Sequence, residues 1–165
     1  MSEEIFDVVD EKDHVVGQLA RSEVHRLGLL HRAVHIFVFN STGQVFIQKR
    51  SLSKDRQPGL WDTSSSGHVD SGEDYDQSAR RELREELGFD LGSTPTKLFK
   101  LGPCEETDCE HVWVYRCLWD ATIEINRDEI ERGEWLKPAE LTQRITRCPT
   151  EFASALRFIW PKMNL

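Results

Sequence analysis

Gly67 to Phe89 reads GHVDSGEDYDQSARRELREELGF, and this stretch decides the architecture. Gly67 is followed at fixed intervals by Glu73, Arg81, Glu82, Glu85, Glu86, Gly88 and the apolar Phe89. From Asp74 to Leu87 the chain reads as one helix. Ser71 with Asp74 forms a capping box, and acids in the first turn suit the positive helix end. Tyr75, Ala79, Leu83 and Leu87 recur every four residues and make an apolar stripe, and Gly88 is a natural stop. Glu82, Glu85 and Glu86 stand at i, i+3 and i+4, so three carboxylates share one helix face. Such a cluster repels itself unless a hard divalent cation, Mg²⁺ or Mn²⁺, relieves it through oxygen ligands. Arg81, one turn before Glu85, is placed to orient a carboxylate. An isolated E-x-x-E-E run is most simply a solvated acidic face neutralised by Arg80, Arg81 and Arg84. The approach through Gly67 and Glu73 is something a site needs and a surface helix does not.

Working outward, Ile5 to Val9 and His14 to Gln18 read as strands of an N-terminal hairpin (roughly residues 4–19) turning at Asp10–Asp13. Ser22 is placed to cap a short helix containing Val24 and His25. His31–Asn40 and Gln44–Lys49 read as strands, and Ser51–Gly59 is a polar loop. Trp61–Ser66 leads into the stretch above. Lys97–Gly102, His111–Trp119, Thr122–Ile125 and Glu134–Leu136 complete the strand candidates. Pro138–Ile145 and Thr150–Trp160 read as helices, the second capped by Thr150 and stopped by Pro161. This order predicts an α/β (α+β) fold, a mixed sheet sandwiched between helices, with residues 1–165 as a single domain.

The chain has 165 residues, enough for one core, and a net charge of −8. That charge disfavours nucleic-acid polymers and anionic membranes as partners. No run approaches transmembrane length, and the opening MSEEIFDVVD is acidic, unlike a targeting peptide. A cytoplasmic protein, monomer or homodimer, is the expectation. Cys104, Cys109, Cys117 and Cys148 lack C-x-x-C spacing, so reduced thiols are the default reading. Trp61, Trp113, Trp119, Trp135 and Trp160 read as core or sheet-face residues, any one of which could instead stack on a ligand.

The stretch 67–89 matches every position of the Nudix box, G-x5-E-x7-R-E-U-x-E-E-x-G-U with U apolar. Chance agreement at seven fixed residues is about one in a million or rarer, so the chain resembles the Nudix hydrolase superfamily. The resemblance implies a Nudix-type fold and metal-dependent cleavage of a small organic diphosphate. Gly67 through its carbonyl, with Glu82, Glu85 and Glu86, would hold Mg²⁺ or Mn²⁺, while Glu73 and Arg81 brace the box. The general base varies within the superfamily, which leaves Glu82, Glu110 and Glu134 open.

LLHRAVHIFVFN, QKRSLSKD, PGLW and SGHVDSGE, between residues 29 and 73, are similar to the branch containing type I isopentenyl-diphosphate isomerase. That likeness implies a further metal set from His31, His68, Asp108 and Glu110, and diphosphate contacts from Arg50 and Lys54. Half-buried histidines and solvated charges are the plain readings of the same residues. The isomerase carries a catalytic cysteine where this chain has Ser66, and the histidine it has seven residues before His31 is replaced by Val24, with His25 one place off. A serine hydroxyl does not exchange protons with carbon as a thiol does. Hydrolysis is therefore the leading expectation. An isomerase-like enzyme, a non-catalytic Nudix binding module and a nucleic-acid decapping or repair enzyme are the rivals.

Overall fold

The computed structural model describes residues 2–165. Strand β3 (His31–Phe39) lies at its centre because its apolar residues fill both faces. Ala33, Phe37 and Phe39 point into one core, and Val34, Ile36 and Val38 into the other. A strand coated on both sides needs layers on both sides.

On one edge β3 runs parallel to β8 (Glu110–Leu118), in register from His31↔Glu110 to Phe39↔Leu118, and β8 pairs antiparallel with β7 (Thr96–Leu101). On the other edge β3 meets β4 (Val45–Arg50) only at Phe39↔Val45, then diverges to pair with β6 (Ser65–His68). Strand β4 continues the sheet through β5 (Trp61–Asp62) and β9 (Ile130–Leu136). The parting of β4 from β3 admits the strand that leads into the box. The first two strands, β1 (Ile5–Val9) and β2 (Val15–Ala20), form the expected separate hairpin with its turn at residues 10–13. Asp13 at that turn accepts hydrogen bonds from Arg32 Nε at 2.6 Å and the Tyr75 hydroxyl at 2.8 Å, and pairs with Lys100. The hairpin is thereby fixed to the sheet.

Helix α1 (Arg21–Leu27) follows the hairpin. Helix α2 (Tyr75–Leu87) covers one face through Ala79, Leu83 and Leu87, with Tyr75 packed at the edge of the same core. Each fully buried leucine contributes about 1.5–3 kcal/mol of transfer free energy. Helices α3 (Pro138–Arg147) and α4 (Ser154–Ile159) cover the opposite face through Leu141, Leu156 and Ile159. The mixed sheet between helices agrees with the expectation. All five tryptophans pack into or against these two cores. No described helix is long and apolar enough to cross a membrane.

Local details depart from the sequence reading. Asp74, not Ser71, caps α2: its carboxylate accepts from Gln77 N at 2.8 Å, and Gln77 Oε1 accepts from Asp74 N at 2.9 Å. Ser71 is occupied elsewhere, donating to Asp7 at 2.9 Å and accepting from Gln18 at 2.7 Å. Ser22 caps nothing, because Glu3 reaches over to accept from its amide at 2.7 Å.

Residues 122–125 form no strand. Their neighbourhood closes the end of α2: Glu124 N donates to Leu87 O at 3.1 Å and Asn126 N to Glu86 O at 2.9 Å. These bonds satisfy carbonyls that a helix end leaves free. The expected helix over 150–160 is broken. Phe152 bridges to Trp61 at the sheet edge, Ala153 N donates to Trp61 O at 2.8 Å, and α4 starts only afterwards. Gln57 Oε1, rather than Thr150, accepts from the first amide of α4 at 2.8 Å. Pro161 continues into a 3₁₀ turn, Trp160–Met163, instead of stopping the chain.

Candidate active site

Helix α2 carries its acids onto the β6 side of the sheet, where Gly67 faces Glu82. A Cβ at position 67 would lie 2.0 Å from Glu82 Oε1, so only glycine lets this carboxylate approach the strand. Glu86 is held by Ser66 N at 2.8 Å, Ser65 Oγ at 3.1 Å and Gln48 Nε2 at 2.8 Å. Both Glu82 and Glu86 are buried, whereas Glu85 is exposed at the opening. Burial pushes the Glu86 carboxyl up to about 7, against the pull of its hydrogen-bond donors. Burial also raises Glu82 well above the usual carboxylate range, and the neighbouring Glu86 adds to the shift.

Arg81 braces this face. Its Nε lies 2.9 Å from Glu73 Oε1, Nη1 2.7 Å from Glu82 and 3.2 Å from Glu85, and Nη2 2.9 Å from the His68 carbonyl. Glu73 also accepts from Ser78 Oγ at 2.6 Å. Glu73 and Arg81 therefore tie the loop before α2 to the helix, and neither lines the cleft.

The cleft encloses about 560 Å³ and is lined by Glu82, Glu85 and Glu86 together with Arg50, Lys54, His68 and Glu110. Arg50 and Lys54 are not free cations. Arg50 Nη1 is 3.1 Å from Asp62 Oδ2 and its Nη2 is 2.9 Å from the Arg56 carbonyl, while Lys54 pairs with Glu129. Two further arginines that sequence reasoning passed over also line this cleft. Arg21 pairs with Asp55 at 3.0 Å, and Arg56 pairs with Asp108. With Glu4 also 3.6 Å from Arg21 Nε, four cations of this wall are held by five carboxylates.

A second cluster closes the inner side. His25, His31, His68 and Glu110 bring one ligand atom each within 4.8 Å of one another. His68 Nε2 lies 2.9 Å from Glu110 Oε1, and His31 Nε2 lies 3.3 Å from the same oxygen without hydrogen-bonding alignment. His31 Nδ1 donates to Leu29 O at 2.8 Å, which turns Nε2 towards the cluster. Phe6 backs the group, stacked on His31 at 5.7 Å and tilted to His68 at 4.6 Å. Burial and then the neighbouring His68 and His31 push His25 down to about 4. Burial opposes charge on His31, but Glu110 overrides it and raises the imidazole. Glu110 in turn falls far below the carboxylate range, its burial outweighed by His31 and His68.

The four side chains expected to form a further metal set do not all come together. His31, His68 and Glu110 converge, but Asp108 faces Arg56 and its place is taken by His25. Counting residues back from His31 puts His25 one position out. The left-handed Gly28 (φ 63°) ends α1 and folds the chain back, so sequence register is no guide across it. Of the three general-base candidates, Glu82 and Glu110 line the cleft, whereas Glu134 pairs with Arg144 of α3 and does not.

Both clusters have the chemistry of divalent-metal sites. The buried Nε2 atoms of His25 and His31 have no protein partner, which is costly unless something else supplies one. Among the buried carboxylates on α2, Glu82 pairs with Arg81, while Glu86 has no ion pair and only the more distant Lys54 opposes its charge.

A model of the NUDIX domain matches residues 29–155. The chain belongs to the Nudix family. Its relatives include an uncharacterized Nudix hydrolase of Nostoc sp., 39% identical over 146 residues, covering 87% of this chain and 86% of that protein. They also include an isopentenyl-diphosphate Delta-isomerase of Photorhabdus laumondii, 34% identical over 152 residues, covering 89% and 85%. The crystal structure of a Deinococcus radiodurans protein superposes with a TM-score of 0.86 at 36% identity, covering 96% of this chain and 98% of that one. The chain is thus a Nudix hydrolase by family, a class acting on diphosphate and related acid-anhydride linkages, generally with divalent metal ions.

Proposed function

We propose that this Nudix protein hydrolyses the diphosphate linkage of a small organic diphosphate. The observation that carries this reading is the buried Glu82–Glu86 pair, with Glu85 beside it, fronting a cleft that Arg50 and Lys54 also line. Glu82, Glu85 and Glu86, with the Gly67 carbonyl, would hold Mg²⁺ or Mn²⁺, and His25, His31, His68 and Glu110 would hold a second ion. A bound ion of this kind neutralises diphosphate charge and makes a coordinated water acidic enough to attack. Arg50 and Lys54 orient the phosphate that does not react. The water's proton would go to a carboxylate of the cleft wall, Glu82 or Glu110, whereas Glu134 stands elsewhere, paired with Arg144. The test is release of phosphate or a monophosphate from a diphosphate panel with Mg²⁺ or Mn²⁺. No release from any member, at metal concentrations up to millimolar, rejects the reading.

An isomerase reading draws on the His/Glu cluster and on the relatives named isopentenyl-diphosphate Delta-isomerase. Against it, Ser66 stands in the cleft wall where a thiol is needed, with its backbone amide committed to Glu86. The thiol beside the cluster in sequence is Cys109, adjacent to Glu110. Incubation with isopentenyl diphosphate in deuterated water decides between them. Carbon-bound deuterium, lost in Cys109→Ser, would establish the isomerase, and its absence supports the hydrolase.

A further inference from the structure

His35 sits in the row of β3 side chains between Ala33 and Phe37, is 5% exposed, and forms part of the cleft wall. Directly opposite it in antiparallel register is Ser66, so both side chains emerge on the same face. The His35 Nδ1 lies 2.9 Å from Thr63 Oγ1, and that hydroxyl has an acceptor of its own in the Ser65 carbonyl at 3.3 Å. A hydroxyl has one hydrogen and a carbonyl can only accept. With the Thr63 hydrogen given to the Ser65 carbonyl, the hydrogen between His35 and Thr63 belongs to the imidazole. Burial keeps the ring neutral, which leaves the Nε2 lone pair without a hydrogen. Unlike Nε2 of His25 and His31, this atom is not sealed away without a partner.

The rest of the wall is rich in acceptors and has no apolar platform. None of the five tryptophans, two tyrosines or eight phenylalanines lines the cleft. Asp62, Glu85, Asn126 and Asp128 do. A hydrocarbon guest would displace water from this polar wall without replacing its hydrogen bonds, which a site built of hydrogen-bonding groups penalises.

We propose that His35 is a specificity-determining residue whose Nε2 accepts a hydrogen bond from a hydroxyl on the organic group of the substrate, so that the cleft selects hydroxyl-bearing diphosphates over hydrocarbon ones. This rests on the diphosphate-hydrolase reading and deepens it.

The experiment compares matched pairs: a nucleoside 5′-diphosphate with its 2′,3′-dideoxy form, and 4-hydroxybutyl diphosphate with butyl diphosphate, each with Mg²⁺ and with Mn²⁺. The hydroxyl-bearing member of at least one pair should be hydrolysed with kcat/KM about a hundredfold higher. His35→Asn retains a donor towards Thr63 but removes the acceptor, and should bring that pair to within about threefold. His35→Gln, which returns an oxygen near the Nε2 position, should restore part of the gap. Equal turnover within both pairs by the wild type, or an equal loss on both members in His35→Asn, makes His35 a scaffold residue and overturns the proposal. Hydrolysis of no diphosphate at all would instead remove the hydrolase reading beneath it. A ¹⁵N spectrum of the wild-type imidazoles needs no variant: hydrogen on Nδ1 alone is required, and a hydrogen on Nε2 of the resting protein overturns the assignment.

Discussion

Glu82 packs so closely over Gly67 that any side chain at residue 67 would occupy the space of its carboxylate, 2.0 Å from Oε1. The strand and the helix carry the two halves of one site, and their separation is set by a missing methyl. Gly67→Ala should cost about 1–3 kcal/mol by overpacking and should lower kcat by a hundredfold or more, since Glu82 must leave its place. Urea unfolding with parallel turnover measurements checks both. A stable, fully active alanine variant would show that the approach is not needed.

Glu86→Gln should lower kcat by roughly a hundredfold or more with the fold intact, because the ion-holding face loses one charge. Circular dichroism and kcat on a verified substrate decide it. Near-normal turnover would take Glu86 out of the site.

The same residue predicts a pH effect on the metal-free protein. Folding raises the Glu86 carboxyl from 4.5 to about 7, so the protonated form is the one the dry site tolerates. Its favourable contribution is complete below pH 4.5 and is lost as pH rises through 7. At about 1.4 kcal/mol per unit, the loss is at most about 3.5 kcal/mol. In chelator, the stability difference between wild type and Glu86→Gln should therefore shift against the wild type from pH 4.5 to pH 7.5. Glu110, depressed instead of raised, works in the opposite sense, losing its contribution as pH falls. A flat difference across that range would contradict the burial of Glu86.

His25→Ala should weaken Mn²⁺ binding at the inner cluster by at least tenfold, whereas Asp108→Ala should leave it unchanged. Calorimetric titration of Mn²⁺ into both variants separates the set His25, His31, His68 and Glu110 from the one that includes Asp108. The reverse order of effects would restore Asp108 as a ligand.

Lys54→Ala should chiefly raise KM, by about tenfold, with little change in kcat, since a contact to the unreacting phosphate binds ground and transition states alike. Arg50→Ala should do the same and also lower stability, because Arg50 anchors the loop through the Arg56 carbonyl and pairs with Asp62. Unchanged KM in both variants would return them to a purely structural role.

The box was readable because its logic is local. Helix spacing alone puts Glu82, Glu85 and Glu86 on one face and Ala79, Leu83 and Leu87 on another. What sequence reading missed depends on contacts between distant segments. Glu3 caps α1 from 19 residues away and Gln57 caps α4 from 97, so a search for a neighbouring Ser or Thr finds the wrong residue. Phe152 is drawn out of helix by the edge of β5, an attraction that no periodicity records. His25 reaches the His31–His68–Glu110 cluster because the chain reverses at Gly28. Arg21 and Arg56 drew no notice in the sequence, and only the fold brings Asp55 and Asp108 beside them at the cleft.

The amides of Glu124 and Asn126 close the end of α2 by bonding to Leu87 O and Glu86 O, and Gly88 leaves room for the Glu124 carbonyl, which a Cβ there would approach to 2.7 Å. The same segment then continues into the cleft wall at Asn126, Asp128 and Glu129. Its main chain is committed to α2, while Asn126, Asp128 and Glu129 line the cleft. Descendants of this gene can therefore exchange cleft-lining side chains without disturbing the carboxylates of α2. Diversification of taste, at constant reaction, is built into the way one helix ends.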